Sequence, residues 1–538
     1  MASSRPDNLK AHWKCIVACT LVSMCPFQYG VDFGIIGGLQ AMPGFLKVFG
    51  SEVPKSVSPI GYNIDHTRQQ LISSLMILGA FISSSTAGPI AKFAGRKVSI
   101  WIAALLCVVS NIVMMTTTSI GALYFARFLI GIANGMLMTF SQLYLQECAP
   151  AKYRGLVIGL FQSWTSIGTL VGTVIDNFTV KLEGKDQYIV SLAIIYIVPV
   201  LLSVGLIFIP ESPRWYLLQR KTEKARKALY WLRPYPDTVD DEVTQITEAI
   251  EAENALAKSA AILDMFRNPV DRRRTLLAVG AVSLQAASGA MYMISYGTYF
   301  FEMAKVGSAF ENSCILVAVG VVAILINSAV ITRWGRRRVF LTIGMCLCGF
   351  TQLIVAVVYD KKGASTSTGK VIVGVSVVYI VGYNGMVATY AWLCGGEFPS
   401  QRLRSYTFGL AASVGFLGAW LATFTAPYFI NPDSLNWGPK YGYIWFPSCL
   451  LGALWTWLYL PEVQNRTFEE IDEMFEARLH ARKFRKYRCV GSVAAVAMAA
   501  KEDGSEGSEK DHEHGQVSHR EVILGNEKAA VETAVAIG

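Results

Sequence analysis

The sequence has few charged residues for its length. Asp, Glu, Lys and Arg make up 16% of the 538 residues, whereas 53% are hydrophobic and the mean hydropathy is +0.39. Ordinary soluble domains carry about 25% charged residues. The low charge content therefore excludes an ordinary soluble protein and predicts a chain that lies in a lipid bilayer.

The sequence also lacks the residue patterns of most catalytic sites. It contains only six histidines, and its 11 cysteines are scattered through apolar segments without the spacing of metal ligands. No glycine-rich phosphate loop ending in Lys and then Ser or Thr is present. We therefore expect reduced cysteines, no metal, no cofactor and no enzymatic activity.

The net charge of +9 does not indicate a nucleic-acid partner, because the basic residues lie in short loops between apolar segments. In membrane proteins such loops mark the cytoplasmic side. The basic loops alternate along the chain and contain Lys92, Arg96, Lys97, Lys152, Arg154, Arg333, Arg336, Arg337, Arg338, Arg402 and Arg404. The opposite side is predicted to hold the tripeptide from Asn177 to Thr179, a glycosylation acceptor in an outward loop.

Twelve apolar segments have the length of about 20 residues that crossing a bilayer requires. They begin near Cys15, Leu71, Val98, Gly121, Gly155, Tyr188, Thr275, Asn312, Val339, Val371, Thr407 and Tyr441. The sequence predicts an all-α membrane protein with 12 transmembrane helices in two six-helix halves, residues 15–209 and 275–461. With an even number of spans, both termini are expected in the cytoplasm.

Three polar segments remain. Residues 1–14 are predicted to be a cytoplasmic N-terminus, and residues 210–274 a cytoplasmic linker with helices over 223–232 and 240–258. Residues 462–538 are predicted to be a cytoplasmic tail. It is expected to begin with a basic helix over 468–488 near anionic lipid and to be disordered from about residue 492.

Two charged motifs occur once in each half. A Glu is followed by Pro and, seven residues on, by Arg in the pairs Glu147 with Arg154 and Glu397 with Arg404; a Gly-Arg turn precedes each, at Gly95 and Gly335. Internal repeats of this kind are typical of transporters built from two halves.

These motifs resemble those of the sugar porters of the major facilitator superfamily, over nearly all of residues 15–488. The matching pieces are the two Gly-Arg turns, Arg127 with Gly131 and Gly135, Glu147–Gly155, Pro210–Trp215 and Leu460–Asp472. Residues 427–432 and 436–438 are similar to those of fungal hexose and α-glucoside permeases. The resemblance implies the major facilitator fold and a plasma-membrane transporter that works by alternating access.

Asp32 is a carboxylate in the middle of the first span. A charge at that depth is costly, so it is expected to face a cavity or a partner. The resemblance implies that Asp32 pairs with Arg127 and couples proton binding to transport. The alternative is a purely structural ion pair.

The resemblance also implies a cytoplasmic gate of charge pairs that break on inward opening. Its residues are Arg96, Glu147, Arg154, Arg336, Glu397 and Arg404. The alternative is charged loops that only fix topology, because surface pairs are individually weak. Lys92 and Thr332 stand where the family has an acidic residue before each Gly-Arg turn.

Five side chains at mid-membrane depth are candidates for binding a sugar, which offers hydroxyl groups and an apolar ring face. They are Gln162, Gln285, Tyr296, Asn384 and Trp392. The resemblance places Gln162, Gln285 and Trp392 at the family's sugar-binding positions. The alternative for each is helix packing, because amides join membrane helices and Trp lies at interfaces.

Other sugar-binding positions depart from the family. The substituted positions are Ala286 and Met291 in helix seven, Gly320 in helix eight, and Gly415 and Phe416 in helix eleven. Fewer hydroxyl partners favour a larger or differently placed sugar, or a substrate with fewer hydroxyls. Proton-coupled sugar uptake therefore has two alternatives: transport of an organic acid, polyol or secondary metabolite in either direction, and a non-transporting sugar sensor.

Overall fold

The computed structural model describes residues 9–54, 58, 60–259, 263–303, 308–333, 335–363, 365–464, 466, 468–487 and 489. Within these ranges the chain forms twelve long helices. They are α1 (Trp13–Leu39), α2 (His66–Ala94), α3 (Arg96–Thr116), α4 (Ile120–Cys148), α5 (Ala151–Thr179), α6 (Asp186–Phe208), α7 (Pro269–Glu302), α8 (Ala309–Arg333), α9 (Arg337–Lys362), α10 (Ser367–Glu397), α11 (Arg404–Ile430) and α12 (Gly442–Tyr459).

The twelve predicted transmembrane helices are confirmed, and ten of these helices within the described chain are long and apolar enough to cross a membrane on length and composition alone. The largest shift of a predicted start is at α7, which begins at Pro269 instead of Thr275. The Asn268 side chain caps α7 by accepting from the backbone N–H of Val270. Its polar first turns are therefore helical, although their hydropathy resembles that of a loop.

Four of the long helices contain an irregular point. Helix α1 is interrupted at Ser23, α6 at residues 195–196, and α7 at Ser288 and Gly289, where Gly289 has a φ of +78°. Helix α10 contains a π-helical segment, Tyr383–Ala388. Such wide turns are rare and often occur at functional sites.

Shorter elements lie on the two faces of the bundle. Four helices of the linker, Pro213–Leu218, Thr222–Leu232, Val239–Ser259 and Asp264–Arg267, define what we call the linker face. The opposite, far face carries the helix Pro43–Phe49 and an antiparallel pair of two-residue strands, Ser51–Glu52 and Tyr62–Asn63. The two predicted linker helices agree with Thr222–Leu232 and Val239–Ser259 to within one residue at each end.

Glycine allows α1 and α5 to pack in close contact along the core of the first half. A Cβ atom at Gly30 would lie 2.0 Å from the carbonyl oxygen of Thr165, and one at Gly168 would lie 2.1 Å from that of Phe27. Small residues of this kind let membrane helices approach closely. The contact fixes the positions of the polar side chains that α1 and α5 carry.

In the described part of the chain, the two halves meet mainly along three helix pairs: α2 packs along α11, α5 along α8, and α1 along α7. Large side chains from both halves, including Phe45 and Tyr296, belong to a single buried cluster.

The start of the tail differs from its prediction as a basic helix. A short helix, Phe468–Glu476, is followed by turns and a 3₁₀ segment, Phe484–Lys486. Phe475 and Phe484 are buried, and the Arg274 guanidinium lies over the Phe475 ring. The tail therefore packs against the base of the second half, with an ion pair between Arg274 and Asp472. The predicted disorder from residue 492 lies outside the described residues.

Candidate functional site

The predicted partners Asp32 and Arg127 meet inside the first half, where each side chain is only about 1–2% exposed. Asp32 Oδ1 lies 3.4 Å from Arg127 Nη1. Arg127 also donates from Nε to the carbonyl oxygen of Ile72 at 3.0 Å, and its Nη2 lies 3.1 Å from Met76 Sδ. The guanidinium is therefore anchored on α2 independently of Asp32.

Asn134 is a further member of this group that the sequence reasoning missed. Its Nδ2 donates to Asp32 Oδ2 at 3.1 Å, and it is fully buried. Asn134 follows Arg127 by seven residues on α4, which is about two helical turns, so both side chains point the same way. That spacing is the signal in the sequence that would have found it. Asp32, Arg127 and Asn134 form the polar core of the first half.

Hydrogen bonds between the halves close the far face. Asn63 Nδ2 bonds to Asn431 Oδ1 at 3.0 Å and to Asp433 Oδ2 at 2.9 Å. Asn431 Nδ2 donates to Gln69 Oε1 at 3.0 Å, and the Tyr299 hydroxyl donates to Asn63 Oδ1 at 2.8 Å. We call these five residues the far-face lock.

Tyr296, predicted to bind substrate, lies beside this lock. It is fully buried, and its hydroxyl donates to the carbonyl oxygen of Thr423 at 3.0 Å and lies 3.4 Å from that of Gln69. Since Gln69 belongs to the first half and Thr423 to the second, Tyr296 joins the halves in this conformation.

The other candidates for substrate binding, Gln162, Gln285, Asn384 and Trp392, are all half-buried. Gln285 Nε2 donates to the carbonyl oxygen of Ala388 at 3.1 Å, which ties α7 to α10. Ala388 lies one turn from both Asn384 and Trp392, so three candidates gather where these helices meet. Gln162 lies on α5, in the opposite half.

Three departures from the family pattern have a structural explanation in close packing. A Cβ at Gly418 would lie 2.9 Å from the Cβ of Ala286, so Ala286 faces α11 at close range. A Cβ at Gly415 would lie 2.7 Å from Val282 Cγ1. At Gly320 a Cβ would lie 2.5 Å from Asn384 Nδ2, so the Asn384 amide occupies the space over Gly320. The Asn384 amide on α10 thus lies close to the position at which the resemblance implies an amide on α8.

Aromatic rings surround Trp392 on the second half. Its ring centroid lies 6.0 Å from that of Phe408 and 6.5 Å from that of Phe416, both on α11. Offset and edge contacts between aromatic rings at such distances are stabilising. The residue that replaces the family's Trp, Phe416, therefore packs against the Trp392 ring.

Charge pairs lie at the linker face of each half. In the first half Arg96 Nη2 lies 2.7 Å from Glu147 Oε1, and the Ser212 hydroxyl donates to Glu147. Glu211 accepts from the backbone N–H groups of Arg96 and Lys97 at the start of α3. Burial raises the pKa of Glu211, which the backbone N–H groups partly offset.

The second half has the same arrangement, but with Arg337 in the role that was predicted for Arg336. Arg337, and not Arg336, makes two contacts with Glu397, from Nη2 at 2.7 Å and from Nε at 3.1 Å. Glu462 accepts from the backbone N–H groups of Arg337 and Arg338, as Glu211 does in the first half. Arg336 is exposed because α9 begins at Arg337, which makes Arg337 the counterpart of Arg96.

Both of these ion pairs join helices of one half, so they hold the base of that half together. Of the remaining predicted gate residues, Arg404 places its guanidinium 3.7 Å from the centre of the Phe468 ring. The Arg154 side chain lies outside the described part of the chain. The ion pairs Arg96–Glu147 and Arg337–Glu397 are both formed in this structure, in which the far face is closed.

Arg337 and Arg336 provide a matched test of this assignment. We expect Arg337→Gln to lower the free energy of unfolding by about 2–3 kcal/mol, because two charge-assisted hydrogen bonds to Glu397 are lost. Arg336→Gln is expected to change it by about 0.5 kcal/mol or less, as for other exposed residues. Thermal unfolding of the purified protein, followed by tryptophan fluorescence, measures both. Equal effects of the two substitutions would contradict the assignment.

The predicted glycosylation acceptor lies in a different setting from the one expected. Asn177 and Thr179 belong to the last turn of α5 rather than to a loop. The Thr179 hydroxyl is buried 2.7 Å from the Ser191 hydroxyl. Glycosylation of Asn177 stays an untested prediction.

Comparison with known proteins adds to this geometry. Residues 18–475 match the family model described as "Sugar (and other) transporter". The chain is similar to the major facilitator-type transporter ecdD of Aspergillus rugulosus, with 26% identity over 86% of this chain and 87% of that one. It is also similar to the high-affinity glucose transporter ght2 of Schizosaccharomyces pombe, with 28% identity over 86% of this chain and 87% of that one.

Among solved structures, the inward-open conformation of the xylose transporter XylE from E. coli has a TM-score of 0.69. It shares 18% sequence identity and covers 86% of this chain and 99% of its own. This likeness confirms the predicted fold of two six-helix halves. The chain belongs to the sugar (and other) transporter family and has the fold of the major facilitator superfamily.

Proposed function

We propose that this chain is a secondary active transporter that carries a sugar, a hexose or an α-glucoside, together with a proton by alternating access. The observation that carries the proposal is the buried group of Asp32, Arg127 and Asn134 at the centre of a two-half bundle. Basic residues on the linker face support a cytoplasmic position for that face and both termini. The plasma membrane is the proposed location.

Proton coupling follows from the way in which Asp32 is held. As a carboxylate it accepts from Asn134 and balances the charge of Arg127. Protonation of Asp32 removes its negative charge and weakens the contact between α1 and α4, while Arg127 keeps its hydrogen bond to the carbonyl oxygen of Ile72. Because α1 packs along α7 of the second half, the change reaches the interface between the halves. Asp32 thus biases the equilibrium between the two access states.

In this scheme the closed far face belongs to a state that is not open to the outside. The far-face lock and Tyr296 hold α2, α7 and α11 together on the external side. A substrate bound among Gln162, Gln285, Asn384 and Trp392 would then leave toward the linker face. Outward opening requires that the lock residues part.

Uptake measurements test this proposal. Yeast cells that lack their own hexose transporters would express the chain, and uptake of labelled glucose, maltose and a polyol would be measured with and without a protonophore. Uptake of one sugar that the protonophore abolishes is the expected result. If protein shown to reach the cell surface takes up none of the sugars, the proposed substrate class is wrong.

A second candidate function is transport, inward or outward, of an organic acid, polyol or secondary metabolite with fewer hydroxyl groups. The close packing of Ala286 on Gly418 favours it, because that position offers no hydrogen bond to a sugar. Efflux from preloaded cells distinguishes it from sugar uptake. A sugar sensor would bind a sugar without moving it, and binding without transport would identify that case.

Trp392 provides a direct test of the substrate site. We expect Trp392→Ala to raise the KM for the transported sugar roughly tenfold, because an aromatic contact contributes about 1–1.5 kcal/mol. The matched control is Trp457→Ala, since Trp457 is about half exposed on α12. Kinetics of initial uptake measure both, and an unchanged KM in the Trp392 variant would place the sugar elsewhere.

A further inference from the structure

A second carboxyl group is buried in the first half, away from Asp32. Asp176 has no exposed surface and lies three residues before the end of α5, on the far-face side. Among the residues whose positions are described, neither of its side-chain oxygens has a hydrogen-bond partner. Asp32, by contrast, has both oxygens engaged. Buried carboxylates are normally paired or hydrogen-bonded, so Asp176 needs a different explanation.

The space that the Asp176 carboxyl group occupies is created by α1. A Cβ atom at Gly38 would lie 2.1 Å from Asp176 Oδ2, so any larger residue at that position would collide with the carboxyl group. The two hydroxyls nearby, Thr179 and Ser191, lie 2.7 Å apart and also contact the backbone carbonyl oxygens of Asp176 and Gln187. The hydrogen of each hydroxyl thus has an acceptor other than the carboxyl oxygens, and the Ser191 hydroxyl and the Gly38 backbone are polar neighbours of the carboxyl group.

Among the described residues, no positive charge balances Asp176 from the far-face parts of the helices packed around it. The charged groups described there are Asp32 on α1, which is paired with Arg127, the half-buried Glu302 on α7, and two exposed carboxylates, Asp186 on α6 and Glu311 on α8. Lys185, directly before α6, is exposed. Lys181, beyond the end of α5, is exposed and places its ammonium group over the Phe178 ring. An ionised Asp176 would therefore be buried without a counter-charge, whereas a neutral acid meets no such cost.

Asp176 also lies close to the contact between the halves. One turn earlier on α5, the carbonyl oxygen of Thr173 lies 3.4 Å from the thiol of Cys314 on α8 of the second half. An opening of the far face that separates α5 from α8 would remove this cover. The carboxyl group would then meet external water, in which the ionised form is stable.

We propose that Asp176 is a second proton-binding site, which takes up one proton from the far-face solution before the halves close there. The carboxylate and the proton combine to a carboxylic acid, and no other bond forms or breaks. The inference rests on the proposed alternating access, but it concerns the protonation state of one side chain, which can be measured without substrate.

Infrared spectroscopy of the purified full-length protein provides the test. A protonated carboxyl group without hydrogen bonds has a C=O stretching band at the high-frequency end of its range. We expect such a band at neutral pH in the wild type and in Asp32→Asn, and its absence in Asp176→Asn. Asn431→Ala, which weakens the far-face lock, is expected to shift the loss of this band to lower pH, because it exposes Asp176 more often.

A band that persists in Asp176→Asn, or no such band in the wild type, would overturn the proposal. If Asp176→Asn does not fold, aspartate labelled with ¹³C in the Asp32→Asn variant shows whether the band belongs to an aspartate, and a band that does not shift with the isotope overturns the proposal. A failure of sugar uptake with the band present would refute the proposed function and leave the proton site standing. The two proposals can thus fail separately.

Discussion

Cells that express Asp32→Asn are expected to lose all protonophore-sensitive accumulation of the substrate, so that uptake falls to simple equilibration. Asparagine cannot take up a proton, although it retains the shape of Asp32. The substitution also removes the counter-charge of Arg127, and breaking a buried ion pair by removing one partner costs about 3–5 kcal/mol. The measurement is the ratio of internal to external labelled substrate at steady state.

Asp186→Asn is the matched control for this experiment. Asp186 is an exposed carboxylate at the start of α6, so the same chemical change there is expected to leave accumulation intact. Accumulation by Asp32→Asn at the wild-type level would show that the ion pair with Arg127 is structural. Surface expression has to be matched between the variants.

Opening of the far face is the second large effect that we expect. Asn431→Ala removes the hydrogen bonds of Asn431 to Asn63, to Gln69 and to the carbonyl oxygen of Ile64, all of which reach across to the first half. At about 0.5–1.5 kcal/mol for each bond, the closed state should lose about 2–4 kcal/mol. The ratio of open to closed molecules should then rise roughly 30-fold or more.

Spin labels at Glu52 and Leu435, both exposed on the far face, report this change as a distance. We expect a longer distance to gain population in Asn431→Ala. The control is Ser434→Ala in the same connection, because the side chain of Ser434 is not part of the lock. An unchanged distance distribution in Asn431→Ala would mean that other contacts keep the far face closed.

Hydropathy and charge were sufficient to predict the twelve helices and the two halves, because a bilayer requires long apolar segments. The expected absence of enzymatic activity is confirmed by the family, whose model describes sugar and other transporters. The resemblance to sugar porters implied the pair of Asp32 and Arg127, and the structure brings the two side chains together. Its role in coupling protons stays a prediction.

The parts that sequence reasoning missed depend on contacts between distant segments. The choice of Arg337 over Arg336 follows from the residue at which α9 begins, and Glu462 fixes that start from 125 residues away. The tail was predicted from its basic residues, but two buried phenylalanines decide where it packs. The sequence analysis did not single out Asp176. Its contact with Gly38, and its lack of a hydrogen-bond partner among the described residues, depend on the three-dimensional structure.

The π-helical segment of α10 has a consequence for comparing this chain with its relatives. A wide turn holds one residue more than an α-helical turn of the same length, so a single insertion or deletion converts one into the other. Removing a residue such as Gly385 would let this segment continue as an ordinary α-helix, and the parts of α10 before and after it would keep nearly the same orientation. Asn384 and Trp392 lie on opposite sides of that point. A relative that is one residue shorter at this point can therefore keep both side chains in the same places, and an alignment without a gap there would pair one of the two positions with the wrong residue.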